Sequence, residues 1–262
     1  MKNKNPLISV IMNCHNGESF LTKSIQSILN QSYRNWELIF WDNKSQDRSK
    51  EIALSFKDKR IRYFKTNKLS KLYKARNFAL NKAKGEYISF LDTDDWWSPN
   101  FLKKHIKKIK ETKSNLVYSN YYIYNQKSKN IELRSNKKMP SGIITQKLLD
   151  RYNIGIISVL LKKNIFKKFR FNGNYNIIGD FDFFINLSKK FNFYSIQTPL
   201  AYYRIHDNNF SNLNNSMYIK ELSIWLNKNK HSLLKRNLSF NSLKVLLLKL
   251  RIKFFFKTWR II

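Results

Sequence analysis

The chain of 262 residues has one cysteine, six glycines, four prolines and 17 acidic residues against 50 Lys and Arg. Its single cysteine, Cys14, excludes an internal disulfide and fits a reducing compartment. Glycine this sparse forms neither a Gly-x-Gly-x-x-Gly turn nor a Walker loop. A nucleotide bound here therefore has no glycine-rich backbone cradle for its phosphates. Long apolar runs are missing too: residues 7–12 are too short for the core of a signal peptide and stand between Pro6 and the polar Asn13, so no export signal is expected. The shortage of acidic residues leaves a formal net charge of +33, which invites a nucleic-acid partner. Yet the chain has no Cys/His finger spacing, no basic-aromatic RNP pattern and no basic region joined to heptads, so nucleic acid is not the expected partner. The excess is uneven. Residues 208–262 hold one acidic residue, Glu221, against eleven Lys and Arg, which suits an anionic lipid surface as well as a nucleic acid.

What the chain does have is an apolar strand that runs into three carboxylates, Asp92, Asp94 and Asp95. Folding alone gives no reason to crowd like charges there. A hard divalent cation such as Mn²⁺ or Mg²⁺ relieves the repulsion with oxygen ligands and keeps positions open for substrate phosphates. The alternative is that one carboxylate caps the helix after Ser98-Pro99 while the others are solvated.

Strand and helix signals alternate through the first half. Strands are expected over residues 7–12, 36–41, 61–64 and 86–91, with helices over 19–31, 47–57 and 72–83. Asp47 is placed to cap the second helix. Such alternation predicts an α/β fold, a Rossmann-like, mostly parallel sheet flanked by helices, with every strand's carboxyl end on one edge. Ligands bind at that edge. His15 and Asn16, Asp42 and Asn43, and the aspartate cluster all fall there. Further on, residues 116–124, 154–162 and 193–204 read as strands, 125–138 as a polar loop or hairpin, and 180–191 as a helix. From about residue 211 the chain reads as helical and separate from the sheet. The expected division is 1–210 for the sheet-bearing domain and 211–262 for a basic helical extension.

Seven segments together carry a resemblance: ISVIMNCHNG over 8–17, SIQSILNQSY over 24–33, ELIFWDNKSQD over 37–47, ARNFAL over 75–80, GEYISFLDTDD over 85–95, DFD over 180–182 and YRIH over 203–206. In this order and spacing they resemble the inverting, GT-A-type glycosyltransferases of family 2. The resemblance implies a metal-dependent enzyme that moves a sugar from a nucleoside-diphosphate sugar, a UDP-sugar first, to a glycan or lipid-linked saccharide. It makes Asp180 the base and Asp94 the leading metal ligand, with Asp95 adjacent and His206 completing the shell. Asp92 falls near the ribose or the metal. Asp42 accepts the imide proton of the base, with an Asx turn to Ser45 as its other reading. His15 and Asn16 line the same pocket, Arg76 reaches the base or diphosphate, and Arg204 neutralises phosphate charge. Two positions depart from the pattern: Gly179 stands where many relatives carry an acidic residue, and Asn186 where an arginine is common. A sugar-nucleotide nucleotidyltransferase would also use an α/β sheet and metal, but expects a Gly-rich basic loop where residues 13–18 stand.

Residues 243–262 are apolar but too charged for a spanning helix. On a helical wheel Lys249, Lys253, Lys257 and Arg260 form a stripe beside Leu250, Phe254, Phe255 and Trp259. Such a segment suits an anionic membrane surface, which places the chain in the cytoplasm, peripheral on the inner face of the plasma membrane. A helix packed on the domain or on a dimer partner is the other reading.

Overall fold

The computed structural model describes residues 5–259. Its first half is the expected alternation: β1 (Ile8–Cys14), α1 (Glu18–Leu29), β2 (Trp36–Asp42), α2 (Ser49–Ser55), β3 (Ile61–Lys65), α3 (Leu72–Leu80) and β4 (Tyr87–Phe90). β1 pairs in parallel with both β2 and β4, and β2 with β3. β1 and β2 are apolar at almost every position because no residue of β2 and only Asn13 of β1 escapes full burial. Their carboxyl ends, with that of β4, form one edge.

The second half comprises β5 (Trp96–Trp97), α4 (Phe101–Glu111), β6 (Leu116–Asn125), β7 (Ile131–Leu133), α5 (Thr145–Asp150), β8 (Val159–Lys162), α6 (Gly179–Ser188), β9 (Phe193–Ile205), α7 (Phe210–Leu213), α8 (Asn215–Leu234) and α9 (Asn241–Trp259). The nine-stranded sheet runs β3-β2-β1-β4-β8-β6-β9-β5, with β7 paired to β6. Here the expectation of a mostly parallel sheet needs correction. β6 and β9 are parallel, but β8 is antiparallel to both β4 and β6, and β5 to β9. After β6 the chain turns back through β7 and α5 and re-enters from the edge it has just reached, so β8 runs the other way. The result is a mixed sheet. β8 is also shorter than residues 154–162 suggest, because Ile156–Ser158 form a 3₁₀ turn. The polar loop does contain a hairpin, with Tyr122–Tyr124 facing β7.

Helix α8 covers α6. Glu221, 6% exposed, accepts the backbone N–H groups of Asn176 (2.7 Å), Ile177 (3.0 Å) and Ile178 (3.2 Å), which lie just ahead of α6. Trp225 donates its indole N–H to Asp182 at 2.8 Å and sets its ring edge on Phe181. α8 is therefore helical as expected and packs on α6. α9 buries Leu243 and packs Leu247 and Leu250 on the core. Around that stripe Val245, Leu248, Ile252, Phe255 and Phe256 face solvent, among exposed Lys244, Lys249, Arg251 and Lys253. Arg260 and the side chains of Lys257 and Trp259 lie outside the described residues. Among the described residues no helix is long and apolar enough to cross a membrane.

Candidate active site

The loops after β1 and β2 are laced together. His15 Nδ1 meets the Asn43 carbonyl at 3.1 Å, the Asn16 N–H donates to Ser45 Oγ at 3.0 Å, and the Gln46 N–H donates to Asn16 Oδ1 at 2.9 Å. Asn16 takes a left-handed conformation (φ 53°) that asparagine tolerates. His15 and Asn16 stand exposed at the rim. Asp42 is fully buried: one oxygen accepts the Ser45 N–H at 2.6 Å and the other the Tyr63 hydroxyl. The Asx turn to Ser45 is made. Asp47 serves two helix starts at once, accepting the N–H of Ser49 at 3.0 Å and of Glu18 at 2.9 Å. Gly17 then brings this loop against the aspartates, since a Cβ there would stand 3.0 Å from Thr93 Oγ1.

Each of the three clustered carboxylates has a different setting. Asp92, 31% exposed, holds Arg76, whose guanidinium is buried against Tyr73, Phe90 and Phe171. Asp94, 26% exposed, meets His206 Nε2 at 3.1 Å and the Asn209 amide at 3.3 Å. Asp95, expected beside Asp94 as a metal ligand, has a third setting. It is 1% exposed and points inward, accepting the Arg204 N–H at 2.7 Å, while its other oxygen has no partner among the described residues. Burial, with the charges of Asp94 and Asp92 beside it, pushes its carboxyl well above the usual carboxylate range. Asp95 shapes the loop from within.

Two further groups hold that loop. Arg204 donates through Nε to the Asp94 carbonyl (2.7 Å) and through Nη1 to Gln126 (2.6 Å), and its guanidinium lies over Phe20 and Trp96. Ser24 donates to the carbonyls of Thr93 and Asp95. Arg204 is 5% exposed, so it sets the loop's shape and positive field more than it presents a free fork.

Asp180 opens α6. Its Oδ1 accepts the Phe181 N–H at 2.7 Å and faces the Tyr73 hydroxyl at 3.3 Å. Burial raises its pKa and the Arg76 charge opposes that rise. Arg76 thus pairs with Asp92 and also feels the charge of Asp180. The glycine at 179 also finds its reason. A Cβ there would lie 2.3 Å from the Tyr73 ring, so the acidic residue of many relatives has no room while Tyr73 fills the space. Asn186, in place of the common arginine, donates to Asp182 at 3.2 Å and helps it hold Trp225.

A family model described as glycosyl transferase family 2 matches residues 9–187, from β1 to the end of α6. The chain belongs to this family. Among its relatives in family 2, WfgD of Escherichia coli is a UDP-Glc:alpha-D-GlcNAc-diphosphoundecaprenol beta-1,3-glucosyltransferase, 37% identical over 166 residues. That match covers 63% of this chain and 64% of WfgD. WfaP of E. coli, of the same description, is 32% identical over 201 residues, 76% of this chain and 78% of WfaP. Among solved structures, residues 1–349 of S. aureus TarS superpose with a TM-score of 0.65 at 17% identity, over 84% of this chain and 65% of that one. The mannosyltransferase PcManGT of Pyrobaculum calidifontis, in complex with GDP-Man and Mn²⁺, gives 0.62 at 12% identity, over 86% and 65%. These likenesses show the GT-A fold, a mixed sheet flanked by helices.

Several site residues of this family 2 chain carry little or no sequence signal. Ser24 has one: a hydroxyl among Leu21, Ile25 and Ile28 on a buried helix face needs a partner. Tyr73, Gln126 and Asn209 have none in spacing or composition, because the bonds that bring them to the site reach across 78 to 115 positions.

Proposed function

We propose that this family 2 member moves a sugar with inversion from a UDP-sugar to a hydroxyl of a lipid-linked saccharide, in cell-envelope polysaccharide synthesis. The observation that carries the reading is the meeting of Asp94 and His206 at 3.1 Å across 112 positions of sequence, on the edge that also holds Asp92 and Arg76. A carboxylate and an imidazole, open on one side, suit Mn²⁺ or Mg²⁺. No three His, Cys, Asp or Glu of the described residues converge on a point, so Asp94 and His206 would hold an ion only together with ligands from outside the chain. When bound, the ion neutralises charge on the departing diphosphate. Asn209 holds Asp94 in place, His15 and Asn16 line the nucleotide side, and Asp180 takes the proton of the attacking hydroxyl. The named relatives support UDP as donor nucleotide and a diphosphate-linked lipid as acceptor. Residues 1–210 form the catalytic unit in this proposal, with 211–262 as its basic extension.

A thermal shift screen with UDP, GDP, dTDP and CDP tests the donor site. UDP with Mn²⁺ at about 100 times its Kd adds about 2.7 kcal/mol, roughly 5–10 °C for a chain of this size. UDP without metal adds much less, and Asp94→Ala loses the metal-dependent part. Equal stabilisation with and without Mn²⁺ removes the metal from the proposal.

The same reading places the enzyme on the inner face of the plasma membrane through α9, whose exposed phenylalanines and lysines suit an anionic interface. In flotation with vesicles rich in anionic lipid, Phe255→Glu combined with Phe256→Glu is expected to lower the bound fraction about tenfold or more, since each change removes apolar burial and adds repulsion. Both side chains are more than half exposed, so the fold is left intact. Equal flotation of wild type and variant sinks this placement.

A further inference from the structure

One cavity away from the sugar-transfer site is walled by cations and by no acid. About 350 Å³ in size, it opens between the end of α6, the end of α8 and the segment after β8. Five of its nine lining residues are basic: Lys168, Arg170, Lys189, Lys190 and Arg236. Across the whole chain Lys and Arg number 50 in 262, so the general excess of positive charge does not account for this gathering. Asp180 opens α6 while Lys189 follows its last residue, so the helix holds the two about 14 Å apart.

Lys189 is half-buried, and the other four cations stand exposed around it. Its Nζ donates to Asn186 Oδ1 at 3.2 Å, and the Asn186 amide donates in turn to Asp182 at 3.2 Å. Asp182 lies behind Asn186 and also accepts the Trp225 indole. Among the described residues none of the five cations forms an ion pair. Burial and the Arg236 charge lower the Lys189 pKa, with Asp182 opposing. Like charges from three elements therefore face one space with no carboxylate on its wall. A polyvalent anion in that space relieves their repulsion.

We propose that this cavity binds a phosphate group, either free as phosphate or diphosphate or as the headgroup of a phospholipid. The guanidinium forks of Arg170 and Arg236 suit pairs of phosphate oxygens, the three lysines add point charges, and the Ser232 hydroxyl on the wall is a further donor. The cavity has the volume of about a dozen waters, which is room for a diphosphate with part of its hydration. A bound anion ties α6, α8 and the segment after β8 together at the end of α6 away from Asp180. The site stands or falls independently of the sugar-transfer reading.

The test is calorimetric titration of the full chain with inorganic diphosphate, in EDTA so that no divalent ion takes part. Lys189→Gln combined with Arg236→Gln is expected to weaken binding about tenfold or more. A control that loses the same charge on α4, Lys103→Gln with Lys104→Gln, both exposed, binds within about twofold of wild type. Asp94→Ala also binds as wild type does. Without added anion the Lys189/Arg236 double variant melts no lower than wild type, since it sheds crowded charge, whereas a purely structural role for the pair lowers its Tm. Should the double variant fail to fold, Arg236→Gln alone decides, with a loss of about three- to tenfold. Equal binding by wild type and the double variant overturns the proposal, and so does loss of binding in Asp94→Ala, which places the diphosphate at the sugar-transfer edge. Citrate bound as tightly as diphosphate traces the effect to net charge and overturns the assignment to phosphate. Flotation with vesicles of phosphatidylcholine and phosphatidic acid then names the source. A double variant that floats less than the α4 control puts a lipid headgroup in the cavity. Equal flotation of the two, with diphosphate binding lost in the double variant alone, upholds the site for the free anion.

Discussion

Asp180→Asn lowers kcat by about 10²- to 10⁴-fold while UDP and Mn²⁺ still bind as in wild type. The amide has the shape of the carboxylate and keeps an oxygen for the Phe181 N–H, so α6 starts as before. What it loses is the ability to take a proton. Burial raises the pKa of Asp180, with Arg76 opposing, so the acid limb of the pH–rate profile is expected at a higher pH than a free aspartate would give. The same shift fixes a sign for stability. A carboxyl that holds its proton more tightly folded than unfolded loses stability as pH rises from its unfolded pKa through its folded one. Asp180→Asn removes that loss, so at neutral pH the variant melts no lower than wild type and at low pH the difference vanishes. Full activity in this variant, measured with saturating donor, removes the base assignment.

Glu221→Ala is expected to lower stability by about 3 kcal/mol, because three backbone N–H groups, at least partly buried, lose a charged acceptor together. In a chain of this size that is roughly 6–12 °C in Tm. Activity falls as well, since Asp180 sits two positions after Ile178, the last residue Glu221 holds. Glu221→Gln keeps one acceptor oxygen and is expected to lose about half as much. Differential scanning calorimetry with kcat on the same preparations checks both. A wild-type melt for Glu221→Ala shows that water or a neighbour replaces the cap.

The parallel half of the fold is legible because it is made of local patterns. Runs such as 36–41 are apolar throughout only when both faces of a strand are covered, and helices between them leave their own period. The antiparallel entry of β8 is not legible. It depends on where the chain turns after β6, and residues 154–158 have the composition of a strand while Ile156–Ser158 make a 3₁₀ turn. At the site, the aspartate cluster states that like charges are crowded but not where each carboxylate points. Asp95 turns inward because β9 brings the Arg204 N–H to it from 109 positions away. Glu221 reads as a lone acid in a basic tail, and only the packing of α8 on α6 reveals it as a helix cap. Local chemistry shows in sequence, and the partner brought by a distant element does not.

The bond between Glu221 and the backbone ahead of α6 also sets a time at which the site becomes complete. His15, Asp94, Asp180 and His206 are all synthesised before residue 221. Until residue 221 is made, the helix that bears the proposed base begins on three backbone N–H groups that lack the carboxylate holding them in the finished fold.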